Sequence, residues 1–576
     1  MKMGRLLGLV LSGLMLMTGY LRAADIAKPS TLPGAMATVT VSDLHGFIDG
    51  MGKVTSQFSP TMNGETLTAL LGVELGDPDL SGIPPGKGLA MVMMDPTNVF
   101  VVVEALESQL PTYTAALSDN GMQSRYSQDV LIVAPGEEQV ALGVGLVSAV
   151  KETLLSRRTP ELKITTRPAS IIEENREDIE GLLDVMPEMM NMLQAGTEDT
   201  SLEGAMKILQ AEIGMLLSIA GQCDTFEISM IPTGTSIQIA ETIAARPSSP
   251  LAALLNAPAV NQPNSVVRAG LAGDAAIAIE GVMANPDALT AFMCNELEPI
   301  MKAFDLDADT LASWDEMMKS SMGLYAGSFS ETLTFGGDSF MNLAYVVEIK
   351  DEDAALEYLK KSMSDIAPML ALYENLGMPM TMEFKEDARE HSGVKIHQFK
   401  VAIDMPDEQM AALEAMNMNL SNMSFDIALC NHLMLYTMGE TKIETLIDRV
   451  RDEDFDVKPL QARQVYPDGG FYYCDVDVAK YLSGLGSIIP QDPSNPLPQM
   501  AVMLSGAEPV TSAGFQNDGS VMWSINLPVS LMVKISEAVE MLQEQQMNQI
   551  QIEVDSVPLA APIEAPAEVT AEVSMP

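Results

Sequence analysis

Histidine and cysteine, on which many catalytic and metal sites depend, are scarce in this chain. Its 576 residues include four of each. The histidines, His45, His391, His397 and His432, lie far apart, so a catalytic triad or a multi-histidine metal site would need them to converge from distant segments. The motifs Gly-x-Ser-x-Gly, His-Glu-x-x-His and Cys-x-x-Cys do not occur. We therefore interpret each histidine as a surface or hydrogen-bonded structural residue.

Basic residues are also few. The chain has 32 lysines and arginines against 79 acidic residues, a formal net charge of −47. Such a charge repels phosphate backbones and anionic lipid surfaces at long range. We expect no nucleic-acid partner. A solvated acidic exterior explains the charge, and binding of divalent cations is the functional alternative.

Long apolar runs are missing beyond the N-terminus. Lys2 and Arg5 precede an apolar stretch from Leu6 to Met17, and Ala23 and Ala24 follow it. This order predicts a signal peptide over residues 1–24, although an uncleaved anchor stays open. We expect a secreted or periplasmic protein with no membrane span after signal cleavage.

What the chain does contain is an internal repeat. Residues 37–258 and 274–541 carry five blocks of similar pattern in the same order. The paired blocks are 37–41 with 275–279, 99–103 with 343–347, 129–133 with 426–430, 162–165 with 471–474, and 226–243 with 510–527. The last pair reads as two β-hairpins, because short polar turns separate residues of alternating polarity.

These blocks predict an α+β fold with two related lobes, each an antiparallel-rich sheet covered by helices. We place the first lobe at residues 25–258, a linker at 259–273 and the second lobe at 274–548. Residues 549–576 are rich in proline, alanine and glutamate, so we expect an acidic disordered tail.

Two helices can be placed from their starting residues. Asn285 before Pro286 is typical of a helix N-terminus, and the periodic apolar residues after it predict a helix towards Phe304. After Asp351, apolar residues recur at three and four residues, which predicts a helix with one face on a sheet.

The stretch Leu343 to Asp351 is a strand that leads into such a helix. Repeated modules of this kind resemble those of large exported bacterial proteins of unknown function. The resemblance spans most of the mature chain and implies export and duplication. It implies no activity and no site residues.

One short segment matches a calcium loop. Asp305, Asp307, Asp309 and Glu316 occupy positions one, three, five and twelve of an EF-hand loop. Thr310 stands where the sharp turn favours glycine. The sequence thus predicts a possible calcium site, and the alternative is that Asp309 caps the helix that follows.

Methionine is abundant, with 44 residues. Clusters of thioethers bind Cu(I) in some exported proteins. No histidine or cysteine lies within the clusters of this chain, and methionine also fills irregular cores and lines apolar grooves. We favour core packing, with a groove for an apolar ligand as the next interpretation.

The cysteines suggest one disulfide. Cys430 and Cys474 lie in consecutive strand blocks of the second lobe, and neighbouring strands can bring cysteines within bonding distance. We predict a bridge between Cys430 and Cys474, with Cys223 and Cys294 unpaired. The alternative is that all four pack as buried thiols.

Taken together, the sequence favours a non-catalytic extracytoplasmic binding or scaffold protein. Its partner would be an apolar small molecule or another protein. The alternatives are an exported hydrolase that uses carboxylates, or a calcium-binding surface protein. The hydrolase stays open because acidic residues are so numerous that no catalytic pair can be singled out.

Overall fold

The computed structural model describes residues 31–179, 181, 185, 201–256, 263–271, 274–283, 285–303, 308–335, 341–365, 380–403, 423–453, 459–466, 468–488, 495–517 and 519–556. The predicted signal peptide lies outside the described residues, and so does the predicted tail after residue 556. Residues 549–556 continue the last helix, so the tail cannot begin at 549.

The first half of the described chain includes eight strands and seven α-helices, together with a helical segment at residues 176–179. The strands are β1 (Ala37–Val41), β2 (Leu89–Asp95), β3 (Asn98–Val103), β4 (Gln123–Ser127), β5 (Val130–Ala134), β6 (Leu162–Thr166), β7 (Cys223–Pro232) and β8 (Ser236–Ala245). The helices are α1 (Leu44–Thr55), α2 (Gly64–Leu75), α3 (Leu110–Asp119), α4 (Glu137–Thr153), α5 (Pro168–Glu174), α6 (Ser201–Gly221) and α7 (Pro250–Leu255).

The second half adds ten strands and eight α-helices among the described residues. The strands are β9 (Ile277–Val282), β10 (Tyr325–Phe335), β11 (Met341–Ile349), β12 (Met380–His391), β13 (Val394–Ile403), β14 (Met423–Cys430), β15 (Leu433–Met438), β16 (Tyr472–Val476), β17 (Val510–Asn517) and β18 (Ser520–Pro528). The helices are α8 (Pro286–Ala303), α9 (Ala308–Leu324), α10 (Glu352–Asp365), α11 (Ile443–Arg451), α12 (Ala462–Val465), α13 (Val478–Ile488), α14 (Leu497–Leu504) and α15 (Val529–Ser556).

Both helices predicted from their starting residues are confirmed. The Ala288 N–H donates to the Asn285 side chain at 3.0 Å at the start of α8. The Ala354 N–H donates to Asp351 at 2.8 Å at the start of α10. Each side chain satisfies a backbone donor that has no partner within the first helical turn.

The strands form a single antiparallel sheet. Following the pairings, the order is β4, β5, β3, β2, β1, β6, β7, β8, β18, β17, β16, β9, β10, β11, β15, β14, β13 and β12. The α+β class and the antiparallel sheet are therefore confirmed. Both predicted hairpins are present as β7–β8 and β17–β18.

The two halves of this sheet have the same strand order. In the first half β1 lies between β2 and β6, and in the second half β9 lies between β10 and β16. The other strands of the first half each have a counterpart at the same place in the second half. The hairpin β12–β13 has no counterpart and adds two strands next to β14. That the halves arose by duplication stays a prediction.

One of the five block pairings is wrong by one strand. Block 129–133 is β5, and its position in the order is taken by β15 rather than by β14, which contains 426–430. The turns show why. Gln128 and Asp129 join β4 to β5, Asn431 and His432 join β14 to β15, and all four have positive φ angles. Two such residues form the tight turn typical of two-residue hairpins, so the hairpins correspond as units.

The pairing register agrees as well. When Val101 of β3 is set equivalent to Tyr345 of β11, the cross-strand partners on either side define further equivalent positions. The same alignment superimposes the two turns described above. The equivalent pairs on one face are Val39 and Ile279, Met91 and Glu331, Val101 and Tyr345, Val133 and Tyr436, and Ile164 and Cys474.

The halves join through β8 and β18, which are themselves equivalent strands. Ile237 pairs with Leu527, and at the other end the Ala245 N–H donates to the Gly519 carbonyl at 3.0 Å. Backbone hydrogen bonds therefore run continuously from one half into the other. The halves share one sheet and are not connected by a linker alone.

Part of the predicted linker, 259–273, belongs to the core. Residues Ser265–Gly270 form a short 3-10 helix in which Val267 and Ala269 are fully buried. The Ser330 hydroxyl donates to the Val267 carbonyl, and the Thr332 hydroxyl donates to the Gly270 carbonyl at 3.0 Å. The segment is thereby fixed on β10.

The two faces of the sheet differ in packing. One face, which we call the covered face, carries small or polar residues that are buried in the second half, such as Ala278, Glu280, Ser330, Thr332 and Ala344. The 3-10 helix, α11 and α12 pack on it there, and α4 packs on it in the first half. Small side chains allow this close approach.

Helices stand along two borders of the other face. At one end of the strands α6, α8, α9 and α10 form a continuous series of neighbours, and at the opposite end lie α1, α2, α13, α14 and α15. In the second half, most large side chains on the strands between these two series keep partial contact with solvent. We call this side of the sheet the half-exposed face. In the first half, Val103, Leu131 and Val133 of the same face are buried in a cluster with α1 and α3.

A buried ion cluster fixes the covered face. Glu280 of β9 is completely buried. Its carboxylate accepts a hydrogen bond from Arg268 at 3.1 Å and contacts the Arg463 guanidinium, which lies 4.3 Å from the centre of the Tyr473 ring. Glu280 thus connects the sheet to the 3-10 helix and to α12. Removing Glu280 leaves the charges of Arg268 and Arg463 without compensation at a buried site.

We predict that Glu280→Gln lowers the free energy of unfolding by about 3–5 kcal/mol, because two arginines lose their counter-charge in a buried site. Urea denaturation measures the change. Glu316→Gln is the matched control, since it removes an exposed carboxylate that pairs with Lys361 on the surface, and its effect should be small. Equal effects of the two substitutions would contradict this prediction.

Candidate functional site

The half-exposed face of the second half carries a row of residues that lie directly opposite one another on neighbouring strands. From β16 to β15 the row is Cys474, Ile279, Glu331, Tyr345 and Tyr436. Directly opposite side chains have Cβ atoms about 4.5–5.5 Å apart, so each touches the next. We call this set the central row.

Two apolar rows flank the central row. On the side of α8, α9 and α10 lie Tyr472, Gly281, Phe329, Val347 and Met434. On the side of α13 lie Val476, Ile277, Leu333, Leu343 and Met438. Most of these side chains are half-buried, whereas residues of the same strands on the covered face are buried. A contiguous, partly solvated apolar surface of this kind is a typical ligand-binding surface.

Aromatic contacts fix the lining. The rings of Phe329 and Tyr345 lie 6.2 Å apart, and Tyr472 meets Trp523 edge to face at 5.0 Å. Gly281 leaves space for this packing, because a Cβ there would lie 2.7 Å from the Phe329 ring. Packed rings hold their rotamers, so the surface is largely formed before any ligand binds.

Glu331 is the only charged residue in these three rows. Burial raises the pKa of its carboxyl above the usual value. The Glu331 carboxylate makes no hydrogen bond or ion pair with any described residue, and the residues directly opposite on the neighbouring strands are Ile279 and Tyr345. The equivalent position in the first half is Met91. The fold therefore does not require a carboxylate here.

The groups around Glu331 are neutral at physiological pH. Burial raises the pKa of the Tyr436 hydroxyl to about 12 and the pKa of the Cys474 thiol to about 11. It also raises the pKa values of Tyr345 and Tyr472. The tyrosines thus offer ring faces and neutral hydroxyl groups, and Glu331 supplies the only charged side chain of the three rows. Outside these rows, Glu241 on β8 also lies on this face of the sheet, directly opposite Ile228.

The cysteines are not activated nucleophiles. Burial raises the pKa of each of the four thiols to about 11, so the reactive thiolate is rare at neutral pH. This agrees with the absence of a cysteine motif in the sequence.

The histidines have separate local partners. The His45 ring lies 2.6 Å from the Ile83 carbonyl, and His391 pairs with Asp448 at 2.7 Å. His397 is buried, which lowers its pKa, and its ring accepts a hydrogen bond from the backbone at 3.1 Å. Each of these three rings has a structural contact, as the sequence analysis interpreted them.

The predicted calcium loop is only partly described. Asp305 and Asp307 lie outside the described residues. Asp309 and Glu316 both lie in α9, seven residues or about 10.5 Å apart along its axis. Glu316 is exposed and pairs with Lys361 at 3.0 Å. No cluster of three or more potential metal ligands occurs in the part of the chain that the structure describes. Calcium binding stays a prediction.

The predicted disulfide does not fit the structure. All four cysteines are free, and β14 with Cys430 is separated from β16 with Cys474 by four strands, β15, β11, β10 and β9. Five strand spacings correspond to about 24 Å. The prediction was wrong because strands that follow each other in the chain are not neighbours in this sheet.

A polar groove lies where β9, β10 and β11 meet α13. Its volume is about 390 Å³. The lining residues are Asp274, Ala276, Thr334, Phe335, Asn342, Glu440, Thr441, Lys480 and Ser483. Phe335 also packs on Tyr481, so the groove adjoins the half-exposed face at its α13 border.

The sequence analysis missed Glu331, although the sequence contains a signal for it. In the segment 329–335, Glu331 stands at every second position together with Phe329, Leu333 and Phe335. This spacing places its carboxylate on the apolar face of the strand. The tyrosines carried no comparable signal, because their proximity depends on pairing between distant strands.

Comparison with protein-family models, with curated proteins and with solved structures finds no match for this chain. Among the described residues, no helix is both long enough and apolar enough to span a bilayer. The arguments for function therefore come from the geometry of this chain.

The raised pKa of Glu331 predicts a pH-dependent stability. The Glu331 carboxyl has a higher pKa in the native state than in the unfolded chain. Below the unfolded-state pKa both states are protonated and the group has no effect, and above it the free energy of unfolding falls as the pH rises. Glu331→Gln should therefore become more stabilising, relative to the native protein, as the pH rises from about 5 to about 8. The facing Tyr345, Tyr472 and Cys474 have raised pKa values and do not ionise in that range.

Urea denaturation across that pH range measures the effect, with Glu383→Gln on β12 as an exposed control. A constant difference between Glu331→Gln and the native protein at every pH would rule out the pKa shift.

The cysteine arrangement predicts four free thiols. Alkylation of the denatured protein without reductant should modify Cys223, Cys294, Cys430 and Cys474, as it does after reduction. Mass spectrometry of the peptides checks this outcome. A peptide pair linked through Cys430 and Cys474 would restore the disulfide prediction.

Proposed function

We propose that this protein is a non-catalytic extracytoplasmic binding protein that holds an apolar small molecule on the half-exposed face. The observation that carries the proposal is the contrast between the two faces of the same strands. Residues on the covered face are buried by the protein itself, whereas most of the large residues on the opposite face of the second half keep contact with water. Half-solvated aromatic and aliphatic side chains favour a ligand that removes this water.

The helices support the same interpretation. The half-exposed face lies between the series α6, α8, α9, α10 and the series α1, α2, α13, α14, α15. A ligand on this face would have helices on two sides, and such borders increase the ligand area that a site can bury. The central row supplies a few polar groups among many apolar ones, which is the usual composition of a ligand site.

The chemistry of the described residues favours binding over catalysis. The thiols are protonated, and His45, His391 and His397 are each engaged locally. The extracytoplasmic location in this proposal depends on the signal peptide predicted from residues 1–24. The alternatives of a carboxylate hydrolase and a calcium-binding surface protein gain no support from the central row.

Titration with a neutral apolar fluorophore, N-phenyl-1-naphthylamine, tests this proposal. We predict that the purified protein binds the probe, and that Leu343→Ser weakens binding about tenfold, because about 1.4 kcal/mol of apolar contact is lost. Val502→Ser is the matched control, since Val502 is 76% exposed on α14, outside the central and flanking rows. Organic extraction and mass spectrometry of the protein should also identify a co-purified apolar molecule.

Two results would contradict the proposal. One is the absence of probe binding, or equal loss of binding in both variants. The other is turnover of an ester, peptide or glycoside substrate that a single substitution abolishes, because such turnover would show that the protein is an enzyme.

A further inference from the structure

We propose that the half-exposed face selects an organic cation, an apolar molecule that carries an ammonium group, and that Glu331 is the residue that recognises the charge. This inference rests on the proposed function and adds the class of ligand. It is carried by the position of one carboxylate among the otherwise uncharged side chains of the central and flanking rows.

The first step of the argument is that Glu331 lacks a counter-charge. Glu280 on the opposite face contacts two arginines, and Glu104 in the first half contacts Lys87 and Arg158. Glu331 has no such partner among the described residues. A half-buried carboxylate without a cation costs free energy, and a bound cation would remove this cost.

The second step is that the position is not set by folding. Met91 occupies the equivalent site in the first half, between Val39 and Val101, which correspond to Ile279 and Tyr345. The first half therefore shows that the same strands pack with an uncharged side chain. The carboxylate is an addition particular to the second half.

The third step concerns the surrounding rings. Tyr345 lies directly opposite Glu331. Tyr472 lies in the neighbouring row two strands away, with only Gly281 between its strand and the Phe329 ring. Aromatic faces attract ammonium groups, most strongly when water is excluded. Glu331 and the two tyrosines thus complement a cationic head group, while the flanking rows take its apolar portion. The carboxylate repels an anionic amphiphile.

The net charge of the whole protein does not give the same selectivity. With a formal charge of −47, the surface attracts any cation at long range. Removing one of 79 acidic residues hardly changes this general attraction. If Glu331 recognises the cation, replacing this one residue by a neutral side chain should remove the preference for cations. If the preference comes from the net charge of the protein, the same substitution should leave it unchanged.

The experiment compares three probes with the same dodecyl chain: dodecyltrimethylammonium, dodecanol and dodecanoate. Each is used below its micellar concentration to displace N-phenyl-1-naphthylamine from the intact protein. We predict that the cation binds at least about tenfold more tightly than dodecanoate, which corresponds to about 1.4 kcal/mol. Glu331→Gln should remove most of this preference and leave dodecanol binding within about threefold.

Two further variants complete the test. Glu331→Met introduces the side chain of the equivalent first-half position and should behave like Glu331→Gln, which separates loss of charge from misfolding. Glu383→Gln removes an exposed carboxylate from β12 and should keep the cation preference.

Three outcomes would overturn the inference. Equal affinity for the three probes would show an apolar site without charge selection, and the proposed function would stand. Loss of the preference in Glu383→Gln as well would assign it to the general surface charge. Tighter binding of dodecanol than of the cation would show that Glu331 does not offset the cost of removing water from the ammonium group. If neither N-phenyl-1-naphthylamine nor any dodecyl probe binds, the proposed function itself fails.

Discussion

Backbone pairing between β8 and β18 is the constraint on which the rest of the architecture depends. These equivalent strands run antiparallel, so the pairing relates the two halves by a local two-fold rotation. It makes two eight-strand patterns into one sheet, and it places the corresponding faces of both halves on the same side. Without it, neither the covered face nor the half-exposed face would extend across the junction.

Side-chain size then determines what each face does. Alanine, serine and threonine on the covered face let the 3-10 helix at residues 265–270 approach β10 closely enough for hydroxyl-to-carbonyl hydrogen bonds. Tyrosine, phenylalanine and leucine on the other face are too large for such an approach, and helices stand at the borders instead. The candidate site is thus a consequence of alternation along the strands, which puts small residues on the covered face and large residues on the half-exposed face.

The sequence carried the local information well. Period-two alternation predicted the hairpins, and capping residues such as Asn285 predicted helix starts, because both depend on neighbours within a few residues. The candidate site depends instead on which distant strands pair. Glu331 meets Ile279 and Tyr345 only through sheet order, and the same long-range order separates Cys430 from Cys474. Strand order is a property of the whole sheet. A prediction that takes consecutive strands as neighbours fails wherever the sheet places other strands between them.

The joined sheet still has two outer strands, β4 and β12, and their composition limits what the protein can assemble into. β4 presents polar residues and the exposed Arg125, while β12 carries the exposed Lys385 and Glu386 next to an irregularity in its register. Charged side chains and bulges on an edge disfavour addition of another strand. Because β8 and β18 pair with each other, the edges that would otherwise end each half are used inside the chain, and only β4 and β12 remain as outer strands among the described residues.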